Sequence, residues 1–113
     1  MDVPAMGRSE ADPRERAQSQ TELLRVLAHP VRLQILRLLC EQEELHVNSL
    51  AERLGKGQPI ISQQLRILRV AGLVESSRSH GFAYYRIADA TRRDLLRGLH
   101  DISEKLSGML RAR

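Results

Sequence analysis

A chain of 113 residues with 42% hydrophobic content is sized for one domain, and with aromatics at only 3% its core must be built from Leu, Ile and Val. No apolar run approaches the roughly 18 residues of a membrane span. The single cysteine, Cys40, excludes an internal disulfide, so a soluble cytoplasmic protein in a reducing compartment is expected. The net charge of +4 is uneven: residues 1–22 hold three Arg against five acids, whereas Arg53 to Arg86 hold six basic residues and one acid, Glu75. Such a basic segment suits nucleic acid or another anionic partner.

Residues 1–14 contain Pro4, Gly7 and Pro13 and little periodic apolar content, which predicts a disordered tail with no secretory signal. One folded unit is expected over residues 15–111. A first helix is predicted from Arg14 or Glu15 through "QTELLRVLA", ending at His29-Pro30. Pro30 suits the first turn of a second helix, "VRLQILRLLCEQ", where its missing N–H costs nothing. That helix places Leu33, Leu36 and Cys40 on one stripe, with Ile35 and Leu39 beside it. "EQEEL" reads as a solvated acidic turn. Asn48 is the expected N-cap of a short helix with Leu50, Ala51 and Leu54 inward, stopped by Gly55.

"QPIISQQLRIL" is the next helix, with Pro59 in its first turn and Ile61, Leu65 and Leu68 on one face. Two helices joined by a short glycine-containing turn make a helix-turn-helix. "LVESSRSHGFAYYRI" then changes to strand chemistry, with Gly81 able to supply the positive φ of a hairpin. A basic hairpin after a helix-turn-helix is a wing. Asp89 caps a last helix reaching about Leu110. Its Leu95, Leu99, Ile102, Leu106 and Met109 fall at alternating intervals of four and three, an a/d seam. The expected fold is therefore mainly α with a small β-hairpin, a winged helix-turn-helix. The last helix is expected to pack on a partner's copy and on the first helix.

The face of the fourth helix opposite its apolar stripe carries Ser62, Gln63, Gln64 and Arg66, with no carboxylate. A carboxylate would be repelled by phosphate. Glutamine can pair with adenine and arginine with guanine, and serine can bond phosphate or base. Gln58 sits near the helix start, where recognition helices meet base edges. Arg78 and His80, on or beside the hairpin turn, suit phosphate or minor-groove contact. Tyr84 and Tyr85 should point to opposite faces of their strand, one into the core.

The stretches "LLRVLAHPVRLQILRLL" and "HVNSLAERLGKGQPIISQQLRILRVAGLVESSRSHGFAYYRI" resemble the ArsR/SmtB family of bacterial winged-helix repressors over about residues 20–110. The resemblance implies a homodimer built from the first and last helices. It also implies binding to double-stranded operator DNA, and release by a metal or other signal. Its implied sensing sites match poorly. Where a thiolate motif would stand, "ELHVNSL" has no cysteine. Of the last-helix metal site, Asp89 matches the first ligand, but Thr91 replaces a histidine. His100 and Glu104, at i and i+4, could share a helix face with metal-ligand spacing. A site built from Asp89, His100 and Glu104 would favour zinc, nickel or cobalt. The alternative is a regulator without a metal site that answers redox change, a small molecule or a protein partner. Cys40, among leucines, reads as a small buried hydrophobe. His29 reads as helix-end chemistry and His46 as surface.

Overall fold

The computed structural model describes residues 12–112. The helices are α1 (Pro13–Leu27), α2 (Pro30–Glu41), α3 (Val47–Leu54), α4 (Gln58–Val70) and α5 (Ala90–Arg111). The strands are β1 (Leu45–His46), β2 (Val74–Ser79) and β3 (Phe82–Ile87), forming one antiparallel sheet in the order β1-β3-β2. The expected tail falls mostly on residues 1–11, outside the described residues. Its last two members, Pro13 and Arg14, belong to α1. The Asp12 carboxylate accepts the Glu15 N–H at 2.9 Å, and Pro13 occupies the first turn. These two signals together start the helix earlier than its apolar pattern does.

His29 breaks the chain between α1 and α2 as expected. Its Nδ1 accepts the Val31 N–H at 3.2 Å, capping α2 ahead of Pro30. At α3 the expected cap is corrected. His46, not Asn48, is the N-cap, its Nδ1 accepting the Asn48 N–H at 3.0 Å. The cause lies in the sheet. Leu45 and His46 pair with Tyr85 and Tyr84 of β3, and this short strand delivers the chain directly into α3. The acidic turn thus ends in a third strand, and Leu45 is buried. Gly55, with φ of 63°, takes the left-handed conformation that closes α3 before α4 begins.

The β2–β3 hairpin closes on a two-residue turn, His80-Gly81, with φ of 53° and 81°. Positive φ at both positions is the type I′ geometry that matches strand twist. The core is aliphatic, as the scarcity of aromatics requires. Ile35, Leu36 and Leu39 of α2 meet Leu50 of α3 and Ile61, Leu65 and Leu68 of α4, all fully buried. Val74, Ile87 and Leu96 close the cluster from the sheet and α5.

Asp89 caps α5 through the Arg92 N–H at 2.7 Å, and its carboxylate also pairs with the Arg92 guanidinium. Inside the protomer α5 lies on α2. Arg93 donates to the carbonyls of Leu39 (2.9 Å) and Cys40 (3.0 Å), and Arg97 donates to Cys40 (2.8 Å). These are C-terminal carbonyls of α2, which have no partner within the helix and carry its negative dipole end. Rather than packing on α1, the expected seam of α5 faces outward. Leu96 is the buried residue of α5, and Leu99 packs at the edge of the core. Leu95, Ile102, Leu106 and Met109 remain exposed. An open groove of about 560 Å³ separates α5 from α1, lined by Leu23, Leu24 and Leu27 on one side and Leu95, Leu96 and Leu99 on the other.

Candidate nucleic-acid interface

The apolar stripe of α4 is wholly consumed by the core, so its opposite face meets solvent. Gln58, Ser62, Gln63 and Arg66 are exposed on that face. No acidic residue lies in the first turn, and the Gly57 N-cap provides no side-chain acceptor. Pro59 has no N–H and the Ile60 N–H donates to the Gly57 carbonyl at 3.1 Å, so the Gln58 amide, beside Lys56, is the first-turn donor left to an anion. Gln64 departs from the expectation. It is half-buried, and its Oε1 accepts the Arg32 Nε at 2.8 Å. The amide oxygen that would read a base is already taken by α2. The helical period hid this, because Gln64 lies at the border of the apolar stripe, where polar residues face either way.

One contact candidate has no polar signature in the sequence. Ile60 leaves 47% of its surface exposed at the start of α4, suited to a thymine methyl. In the wing, Arg78 and His80 are exposed. Arg78 Nη1 lies 3.4 Å from the Gly81 carbonyl, and Ser79 Oγ lies 3.1 Å from His80 Nδ1, so both side chains gather at the turn. Glu75, the acid within the basic segment, is paired with Arg86 (2.6 Å). That pair cancels one cation and leaves Arg53, Lys56, Arg66, Arg69 and Arg78 as the basic surface. The two tyrosines divide as expected. Tyr85 packs on the core. Tyr84 lies edge-on to His46, at 5.5 Å between ring centroids, and Phe82 meets the same His46 ring at 5.1 Å.

Within one protomer, His100 and Glu104 line one cavity, and Asp89 is not brought to them. Asp89 is committed to the α5 cap and Arg92. Glu104 is bound at 2.9 Å by Arg37 of α2. Asp89 and His100 stand eleven residues apart along one helix, a rise of about 16 Å. Among the described residues, no group of three or more His, Cys, Asp and Glu could hold a metal. His100 has its Nε2 buried without a partner, beside a cavity of about 200 Å³ that Cys40 also lines. Burial, followed by Arg37, holds the His100 pKa below its usual value, against the opposing pull of Glu104, Asp101 and Glu41. Cys40 is buried as expected, its Sγ 3.9 Å from the Arg93 carbonyl. Burial pushes the thiol pKa up, outweighing the nearby Arg93 and Arg97, and Glu41 adds to the rise. The backbone N–H of Arg92 leads the effects that lower the Asp89 pKa.

A tri-helical core that presents a carboxylate-free helix, flanked by a basic two-stranded wing, defines a winged helix-turn-helix DNA-binding protein. No described helix is long and apolar enough to cross a membrane. Residues 29–76 match the profile of the bacterial regulatory proteins of the arsR family. A biofilm growth-associated repressor of Xylella fastidiosa strain Temecula1 is 40% identical over 88% of this chain and 85% of its own. The chain belongs to the ArsR family. The crystal structure of the repressor BigR from Xylella fastidiosa superposes with a TM-score of 0.69 at 39% identity, over 79% of this chain and 87% of that one. A homodimeric winged helix-turn-helix DNA-binding domain from Mycobacterium bovis does so with a TM-score of 0.72 at 29% identity, over 87% of this chain and 92% of that one.

Proposed function

We propose that the protein is a homodimeric transcriptional repressor of the cytoplasm that holds double-stranded operator DNA and leaves it when an inducer binds. The observation that carries this reading is the exposed face of α4. It offers Gln58, Ser62, Gln63 and Arg66 with no negative charge, on a helix whose buried apolar stripe turns that face to solvent. Gln63 and Arg66 are the base readers, and Ser62 takes phosphate. Arg78 and His80 reach the backbone or minor groove from the wing. The exposed seam of Leu95, Ile102 and Leu106, with Leu99 at its inner edge, is the dimer surface, and the homodimeric state of the Mycobacterium bovis neighbour supports assembly in pairs. Two such protomers present their recognition helices to half-sites about one DNA turn apart.

The test is selection of duplexes from a random library, followed by affinity measurements across salt concentrations. Specific binding should fall steeply as salt rises, because cations on the protein replace counterions on phosphate. A selected duplex bound with no salt dependence, or no selection at all, refutes the reading.

A further inference from the structure

Arg32 lies in the first turn of α2, and its half-buried guanidinium reaches two other helices. Nη1 donates to the carbonyl of Val26 at 3.0 Å and approaches that of Arg25 at 3.5 Å. Both carbonyls belong to the last turn of α1, where the helix supplies no partner and its dipole is negative. Nε donates to Gln64 Oε1 at 2.8 Å, in the middle of α4. One rigid, permanently charged fork thus joins the end of α1, the start of α2 and the centre of α4. Apolar contacts hold α4 against the core but are non-directional. The Arg32–Gln64 bond is directional and fixes how far α4 is turned about its axis.

We propose that Arg32 is the positioning residue of the recognition helix, setting the angle of α4 through Gln64 and tying it to α1. Gln64 then supports operator affinity through Arg32, not by reading a base. The inference rests on the reading of α4 as the recognition helix. It adds a route by which a change at α1, which flanks the apolar groove beside α5, reaches the DNA-facing side chains. A lysine cannot replace Arg32, because an ammonium lacks the planar fork that serves two acceptors on different helices.

The test uses the full chain with Arg32→Ala, Arg32→Lys, Gln64→Ala, Gln64→Glu and the Arg32→Ala/Gln64→Ala double variant. Two quantities are read. One is amide hydrogen exchange across residues 61–68 without DNA. The other is the ratio of affinities for a duplex selected by the wild-type protein and for a random duplex of equal length. Arg32→Ala and Gln64→Ala should each speed exchange in α4 and lower the ratio by about tenfold or more, the scale of one hydrogen bond to a charged group. The double variant should be no worse than Arg32→Ala alone. Arg32→Lys, which keeps the charge and the stem if the alanine variant folds poorly, should lose both properties. Gln64→Glu should keep α4 protected, since a carboxylate also accepts from the guanidinium. A lowered ratio in Gln64→Ala with both readings intact in Arg32→Ala and Arg32→Lys overturns the proposal and returns Gln64 to base reading. Additive losses in the double variant overturn it as well. Wild-type protein that prefers no duplex refutes the DNA reading instead, and the exchange measurement still decides whether Arg32 holds α4.

Discussion

Ile102→Glu separates the assembly of this protein from its folding. Ile102 leaves 58% of its surface exposed in the protomer and takes no part in the core, whose residue on α5 is Leu96 at 5%. Burying a whole aliphatic side chain contributes about 1.5–3 kcal/mol. A little over half of Ile102 remains to be buried, so its loss removes about 1 kcal/mol per copy. A two-fold interface places the substitution on both sides and doubles that figure. The larger effect is the carboxylate, because an unpaired charge taken into an apolar seam costs several kcal/mol. The total is roughly 5 kcal/mol, or a dimer weakened more than a thousandfold. Sedimentation velocity at micromolar protein should show monomers for Ile102→Glu, with helical content and unfolding cooperativity retained. Leu96→Glu, at a site already buried, should unfold the chain. If Ile102→Glu sediments as a dimer with wild-type affinity, the exposed face of α5 is not the interface.

Gln63→Ala should weaken binding to a selected duplex by about 1–3 kcal/mol while leaving random duplex nearly unchanged, measured by fluorescence anisotropy. Arg78→Ala should do the reverse, lowering affinity for every duplex and reducing the salt slope by about one. His100 is held neutral by burial and Arg37, below its usual pKa of 6.5, so the unfolded chain takes up a proton that the folded chain resists. Its contribution to stability is therefore complete above about pH 6.5 and is lost as pH falls through the lowered folded value. Urea midpoints between pH 5 and 8 should show a shallower acid limb for His100→Gln, and an unchanged limb would remove His100 from that role. Cys40, buried with a raised thiol pKa, should react with an aromatic disulfide far more slowly in the native protein than in denaturant. Native reactivity equal to that of the unfolded chain would mean that the α2–α5 contact opens readily.

Local chemistry wrote most of the architecture into the chain. Ile61, Leu65 and Leu68 recur at the helical period and are all fully buried, so their spacing alone set which face of α4 meets solvent. Proline after His29, glycine at 55 and glycine at 81 mark backbone geometries that depend on the residue itself, and each stands at the expected break. The a/d spacing of α5 likewise announced an apolar face broader than one protomer can cover. The features that needed the tertiary structure all join residues distant along the chain or too short to carry a period. β1 is two residues long and exists through its pairing with β3, and that pairing moved the α3 cap from Asn48 to His46. Gln64 has the same side chain as Gln63, yet it is half-buried and its oxygen accepts from an arginine 32 positions earlier. Asp89, His100 and Glu104 have the residue types of a metal site, but within one protomer Asp89 stands at the far start of α5 and Glu104 pairs with Arg37. Periodicity reports which way a side chain leaves its own helix, whereas its partner depends on which other element the core has packed beside it.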